Sequence, residues 1–161
     1  SKLENACFGF VYDAETAEQA HRSGIGATIP VKLGGKTDDM HGEPIETTAY
    51  VKALTDGIFV TSSLMGKGKV ANMGRSARLQ IEGVDVIVTS VRDQVFDEQI
   101  FLLHGIDIQS YHIVALKSSH HFRAGFESLS KEIITVDSPG LSTMDITVFP
   151  YQNVRRPIYP L

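Results

Sequence analysis

The sequence predicts a mixed α/β (α+β) domain, built on a mixed β-sheet of about eight strands with β-hairpins and three short helices. Two stretches in the first half alternate apolar and polar residues around turn pairs, which is the pattern of half-buried strands joined in hairpins. Other apolar runs lead into segments with helical spacing, as in strand-to-helix crossovers. Hairpins and crossovers in one chain favour a mixed sheet covered by helices.

The N-terminal segment predicts a strand followed by a capped helix. Residues Ala6–Tyr12 are apolar and aromatic enough to form a strand. Asp13 is a suitable N-cap for a helix over Ala14–Arg22, and Gly24 is placed to end that helix. Because the strand starts almost at the first residue, we expect a fold that continues from a region upstream.

A glycine-rich loop follows the second predicted strand. The strand is Ile25–Leu33, in which Pro30 is tolerated best at a sheet edge because it has no N–H for the ladder. Gly34, Gly35 and Lys36 break this strand. The loop beyond them carries two acids and a histidine: Asp38, Asp39 and His41. These ligands are too few for calcium or zinc, so we expect a solvated loop that could line a cleft.

Two hairpins are predicted next. Residues Ile45–Ala53 alternate, and Asp56-Gly57 supplies a tight turn into Ile58–Val60. Residues Ala77–Ile81 and Val84–Val88 form the second hairpin by the same pattern. The glycine-rich stretch between the hairpins lacks the G-x-x-x-x-G-K-[ST] pattern, so it predicts a flexible loop and not a phosphate site.

A short helix is expected before the central strand. Asp97 can cap it, Phe96 is placed to contact Phe101 across its first turn, and Gly105 ends it. Tyr111 then begins the strand that leads into the polar cluster described next.

A polar cluster between a strand and a helix is the most informative stretch of the chain. Ile113–Leu116 predicts a short buried strand, and Lys117–Arg123 then gathers basic and hydroxyl groups before apolar residues recur at helical spacing. Either Ser118 or Ser119 can cap the helix. Its free amides, with the nearby cations, could hold a carboxylate or phosphate. A capped helix with a solvated basic end is the alternative.

The C-terminal quarter predicts two more extended segments. Glu132–Val136 is expected to be a strand, with a turn over Asp137–Gly140 and a further strand-like segment over Met144–Phe149. The proline-rich tail after them cannot form a helix, and we expect it to lie against the body of the domain.

Composition narrows the class of protein. The chain has 161 residues, which suits one domain over 1–161, and 42% apolar content fits a globular protein. A net charge of -4 without a basic stripe argues against nucleic acid as a partner. No stretch reaches the about 20 apolar residues that span a bilayer. The single cysteine, Cys7, suits a reducing compartment, so we expect a cytoplasmic protein with an ordinary buried thiol.

The residues alone do not predict a complete catalytic or metal site. The six histidines are scattered, apart from the adjacent His120 and His121, and no H-E-x-x-H motif is present. Ser118 and Ser119 lack a nucleophile elbow. We therefore expect no metal site within this chain. General acid or base work by either of the adjacent histidines stays open.

Several stretches together resemble one family. These are GIGATIPVKLGGKTD, TDGIF, VIVTSVRDQVFDEQIF, GIDIQSYHIVALKSSHHFRAGF and VRRPIYPL. In order and spacing they resemble the C-terminal domain of the microcystinase C (MlrC)-like proteins, from about Ala6 to Leu161. The resemblance implies a zinc metallopeptidase whose metal ligands belong to a larger N-terminal domain that this chain does not contain.

The resemblance also implies roles for matching positions. In the K-S-x-x-H-F-R pattern, His121 would hydrogen bond near the scissile group, and Lys117 or Arg123 would anchor a substrate carboxylate or carbonyl oxygen. Ser118 belongs to the same substrate-binding wall. The G-G-K loop, Gly34 to Lys36, matches the family pattern and is assigned to substrate binding as well.

Two classes of function follow from these expectations. The first is a substrate-binding, cleft-completing domain of a zinc-dependent peptidase or amidohydrolase, with zinc held outside this chain. Its partners would be its own N-terminal catalytic domain and a peptide or small amide substrate, and a homo-oligomer is possible. The second is a non-catalytic docking or dimerisation domain, in which the KSSHHFR cluster is a structural helix start.

Overall fold

A computed structural model describes residues 3–39, 42–138 and 145–159 of the chain. Over these residues it confirms the predicted α+β class with eight strands and three α-helices. The strands are β1 (Glu4–Tyr12), β2 (Thr28–Leu33), β3 (Ile45–Thr55), β4 (Ile58–Val60), β5 (Val70–Asn72), β6 (Ser76–Ile81), β7 (Gly83–Thr89) and β8 (Ile113–Leu116). The helices are α1 (Ala14–Ser23), α2 (Gln99–Leu103) and α3 (Arg123–Phe126), with 3₁₀ turns at Ile108–Ser110, Glu127–Leu129 and Ile146–Val148.

Six strands form one mixed sheet in the order β2-β3-β6-β7-β1-β8. The strands β7, β1 and β8 are parallel, whereas β2, β3, β6 and β7 pair antiparallel. The predicted β6–β7 hairpin is confirmed, and Glu82 makes its turn with φ of 52°. Because parallel strands point the same way, the carboxyl ends of β7, β1 and β8 lie at one edge of the sheet.

Pro30 lies in an edge strand, as its missing N–H requires. β2 pairs only with β3 within the described sheet. Its residues alternate strictly, with Ile29, Val31 and Leu33 buried and the residues between them exposed. One face of this strand therefore belongs to the core and the other faces solvent.

The sheet has a core on each face. α1 begins after Asp13, whose side chain accepts a hydrogen bond from the Thr16 amide at 3.0 Å, and ends at Gly24, as predicted. Its Ala17 and Ala20 are fully buried against β2, β3, β6 and β7. The second core holds α2 and α3, through Phe101 and Phe126, whose rings pack edge to face at 5.9 Å.

The first predicted hairpin is wrong. Asp56 does accept a hydrogen bond from the Ile58 amide at 3.0 Å, so the turn exists, but β4 pairs with β5 in a separate two-stranded sheet. β6 occupies the ladder of β3 at Leu54 and Thr55, where the hairpin partner would lie. The amide of Met73 instead bonds to the Gly57 carbonyl, so β5 interrupts the loop that was expected to be flexible.

The predicted strand over Glu132–Val136 is also wrong. Residues 130–138 contain no strand, and Ile134 and Val136 are each 76% exposed. An alternating segment forms a strand only where it can pair with the edge of a sheet. Among the described residues, this segment pairs with no strand. The turn expected at Asp137–Gly140 and the start of the segment at Met144 fall partly outside the described residues. Ile146–Val148 is a 3₁₀ turn, stabilised by a hydrogen bond from the Thr147 amide to Asp145.

The tail was expected to lie against the body, but its described part, residues 153–159, is largely exposed, with Tyr159 97% accessible. In the described part of the chain, no helix has both the length and the apolar character needed to cross a bilayer.

Candidate functional site

The segments that follow the three parallel strands form the candidate site. They are the loop after β7, the start of α1 after β1, and the polar cluster Lys117–Arg123 after β8. Ligands of sheets with parallel strands commonly bind at this carboxyl edge, because the loops and helix starts there are free to carry polar groups. The edge is therefore the place to examine the predicted residues.

The polar cluster continues β8 but does not begin as a capped helix. The Lys117 amide bonds to the Gly9 carbonyl at 3.4 Å, which extends the ladder by one residue, and a turn then leads to Arg123. Phe122 precedes the four-residue α3, without a side-chain cap. The expected capping by Ser118 or Ser119 is wrong. The anion site at a helix start, one of the two alternatives for this cluster, stays a prediction, and one short turn contributes little dipole to it.

Gln94 holds two of the predicted residues together. Its amide nitrogen donates to the Ser118 hydroxyl at 2.9 Å, and its amide oxygen accepts from Nδ1 of His121 at 2.7 Å. The Ser118 hydroxyl thus contacts the loop after β7, and Ser118 lies too far before α3, which begins at Arg123, to cap that helix. Gln94 was not among the predicted site residues. A signal was present, because the polar residues Arg92 to Gln94 lie in the loop that follows the buried strand β7, as Lys117 follows β8.

The two predicted cationic anchors of the cluster differ in their surroundings. Lys117 is exposed, and its ammonium group has no partner among the described residues. Arg123 donates to Glu127 at 3.3 Å, one turn along, and lies 5.5 Å from the centre of the Phe122 ring. A substrate carboxylate would bind Lys117 directly but would have to compete with Glu127 for Arg123.

The G-G-K loop is fixed to the start of α1. Lys36 lies 2.9 Å from both Asp13 and Glu15, and the Gly34 amide donates to Asp13 at 3.0 Å. Burial by itself would raise the pKa of Asp13, but the hydrogen bonds from Thr16, Lys36 and Gly34 outweigh it and lower the pKa. The Lys36 ammonium is therefore engaged in an ion pair with a buried carboxylate.

Position 35 of this loop has room only for glycine. Its φ is +61°, and a Cβ there would lie 2.5 Å from the Pro44 nitrogen. A side chain at this position would push the two ends of the loop apart.

The loop after β7 connects the two predicted regions. Arg92 donates to the Thr37 hydroxyl at 2.8 Å beside the G-G-K loop, and its guanidinium stacks 5.0 Å from the Tyr12 ring at the end of β1. Two residues later, Gln94 reaches the polar cluster. Contacts of this one loop thus link the G-G-K loop, the end of β1 and the polar cluster at the carboxyl edge.

The described residues do not fit a metal site. No group of three His, Cys, Asp or Glu side chains comes together in residues 3–39, 42–138 and 145–159. His120 and His121 have ring centres 6.4 Å apart, and Nδ1 of His121 is occupied by Gln94. His41 lies outside the described residues. Cys7 is buried, as expected, and burial raises the pKa of its thiol to about 12.

Comparisons with known proteins agree with the fold and with the resemblance of the motifs. The family model for the MlrC C-terminus matches residues 1–153. Microcystinase C from Sphingomonas sp. is 27% identical over 158 residues, which are 98% of this chain and 30% of that protein. A crystal structure from Mesorhizobium sp. BNC1, described as a "putative metallopeptidase", is 28% identical with a TM-score of 0.83, over 96% of this chain and 31% of that one.

The chain thus spans less than a third of the length of either relative. The match of the family model over almost the whole chain establishes the relationship: this protein belongs to the MlrC C-terminus family.

Proposed function

We propose that this chain completes the substrate cleft of a metal-dependent peptidase or amidohydrolase. The observation that carries the proposal is the polar group at the carboxyl edge, where Ser118 and His121 bond to Gln94 of the loop after β7 beside the exposed Lys117. Two relatives support the reaction class, since one is named a microcystinase and the other is described as a metallopeptidase. Zinc, the metal we propose, would be bound by residues outside this chain.

The proposed roles follow from the surroundings of each group. His121 hydrogen bonds near the scissile amide, and Lys117 anchors a carboxylate or carbonyl oxygen of the substrate. Arg123 is a second anchor once Glu127 is displaced. Ser118 orients the segment through Gln94. The loop Gly34–Lys36 shapes the adjacent wall, which its attachment to Asp13 keeps in place.

The partner we propose is the remaining part of a longer protein. The relatives are about three times as long as this chain, and residues 130–138 and 145–159 expose several large apolar side chains. Such an apolar surface is typical of an interface between domains. With its buried thiol, the protein suits a reducing compartment such as the cytoplasm.

A docking or dimerisation domain is the second candidate. It is favoured by the internal pairing of two predicted anchors, Lys36 with Asp13 and Arg123 with Glu127, and by the exposed apolar side chains of residues 130–138 and 145–159. In that case the polar cluster would have no contact with substrate.

Exchanging His121 and Arg123 for alanine in the full-length protein separates these functions. With a panel of short linear peptides and the metal supplied, we expect His121→Ala to lower kcat/KM by about 10- to 100-fold, the effect of losing a strong hydrogen bond. Arg123→Ala should mainly raise KM. His120→Ala is the matched control and should change turnover less than about twofold. Unchanged turnover in both variants, with folding intact, would favour the docking function.

A further inference from the structure

We propose that Gln94 is a positioning residue that keeps the neutral ring of His121 protonated on Nδ1, so that Nε2 acts as a hydrogen-bond or proton acceptor. This inference rests on the proposed function for its chemical meaning, but the contact that carries it lies entirely within this chain. Nothing in the sequence patterns assigns a role to Gln94.

The geometry fixes which ring nitrogen carries the proton. The amide oxygen of Gln94 lies 2.7 Å from Nδ1 of His121, and an amide oxygen can only accept. Nδ1 must therefore donate, which leaves the lone pair of the neutral ring on Nε2. At its other end the amide nitrogen of Gln94 donates to the Ser118 hydroxyl at 2.9 Å, so the side chain is held in place by both of its polar atoms.

This orientation of the amide suits both charge states of the ring. A charged imidazole donates from both nitrogens, so only an acceptor can stand opposite Nδ1. The reverse orientation would place the amide N–H groups against Nδ1–H whenever the ring is charged. The amide oxygen meets Nδ1 without conflict before and after proton uptake at Nε2, as a residue that takes up and returns a proton requires.

Nε2 is open to a reacting group. His121 is exposed, and no group of the described residues bonds to Nε2. The N–H at one nitrogen of such a ring donates to a fixed amide oxygen, and the other nitrogen is unprotonated. That free nitrogen can accept a proton from water or from a substrate N–H. It would not donate to a substrate carbonyl oxygen in its neutral form. His121 would thus act by accepting a proton or a hydrogen bond at Nε2.

The chain contains reference rings for both tautomers. His104 donates from Nδ1 to the Ile100 carbonyl at 2.7 Å, and His21 donates from Nε2 to the Ser76 carbonyl at 3.0 Å. A ¹⁵N spectrum of the labelled chain, recorded at alkaline pH with the rings neutral, can compare His121 with these two.

The spectrum of the wild-type chain should place His121 with His104. In Gln94→Leu, which removes the acceptor at similar size, the Nδ1 resonance of His121 should move toward that of His21. Gln94→Glu keeps an acceptor and should leave the tautomer as in the wild type. Unchanged backbone resonances of β1 and β8 show that each variant is folded. A wild-type ring protonated on Nε2, or a Leu variant with the wild-type tautomer, would overturn the inference.

Turnover of the full-length protein separates this inference from the proposed function. We expect Gln94→Leu to lower kcat by about three- to tenfold with little change in KM, the effect of losing one hydrogen bond, and Gln94→Glu to restore most of it. If His121→Ala leaves turnover unchanged, the proposed function fails whatever the tautomer. If His121→Ala abolishes turnover while Nε2 carries the proton, the inference fails and the function stands.

Discussion

His104 shows how a polar side chain can be buried in this fold without a catalytic role. It is 1% exposed, its Nδ1 donates to the Ile100 carbonyl, and its Nε2 lies 3.1 Å from the Ser76 hydroxyl. The neutral ring is fully paired, with Nε2 accepting from the hydroxyl. Burial, which disfavours the charged ring, lowers the pKa of His104 below its ordinary value.

Mild acid should therefore destabilise the chain through His104. Below a pH of about 6.5 the unfolded chain takes up a proton that the folded ring resists, so the free energy of unfolding should fall by up to about 1.4 kcal/mol per pH unit. Urea unfolding at pH 7 and pH 5 measures this loss, and His104→Asn should flatten it. The buried carboxylates have lowered pKa values and lose their stabilisation only below a pH of about 4, outside this window: Asp13, Asp85 and Asp97. An equal pH slope in both proteins would contradict the assignment.

The residues of the candidate site were predictable one by one, but their contacts were not. Abrupt polarity after an apolar run points to the cluster Lys117–Arg123 from local sequence, and the family resemblance selects Lys117, Ser118 and His121 within it. Gln94 is 24 and 27 residues from its two partners, on a loop whose strand is separated from β8 by β1. Only the strand order brings these side chains together, and no local pattern encodes that order.

At the scale of elements, the packing of α2 on β1 depends on one missing side chain. A Cβ on Gly9 would lie 2.1 Å from the tip of the Phe101 ring, which is itself fully buried. The helix therefore approaches the strand through the space that this glycine leaves open.

We expect Gly9→Ala to lower the free energy of unfolding by about 3 kcal/mol, because the ring has no room to retreat in a close-packed core. Chemical unfolding measures this change. Phe101→Leu shortens the opposing side chain, so the double variant should be at least about 1 kcal/mol more stable than the sum of the single losses implies. Strictly additive losses would show that the two residues do not compete for the same space.

Elements set by local chemistry matched their predictions, and those that depend on a distant partner did not. Asp13 and Gly24 bound α1 because a cap needs only the residues beside it. β4 has the expected turn but a different partner, since β6 already pairs with that end of β3. Residues 132–136 alternate like a strand and find no sheet edge.

At the scale of the whole molecule, the C-terminal segment has a surface unlike the rest of the domain. Among residues 145–159, six large apolar side chains are well exposed: Ile146, Val148, Phe149, Tyr151, Ile158 and Tyr159. A single exposed apolar residue needs no explanation, but a run of them along one segment indicates a surface that another part of a protein covers. Under the proposed function, this surface would be covered by the remaining part of a longer protein, as in relatives about three times as long as this chain.

Limited trypsin digestion can test whether this segment is covered. Arg155 is exposed in the chain, so cleavage after it should be rapid in the isolated chain and at least about tenfold slower in the full-length protein, since proteolysis requires a locally open backbone. Val148→Asp combined with Phe149→Asp should restore rapid cleavage in the full-length protein by placing charge in an apolar interface. Gln152→Asp adds charge without removing apolar area, and should leave the protection intact. If cleavage of the isolated chain slows as its concentration rises, the partner is a second copy of this chain. Equal cleavage rates in the isolated chain and the full-length protein would show that the segment is not covered.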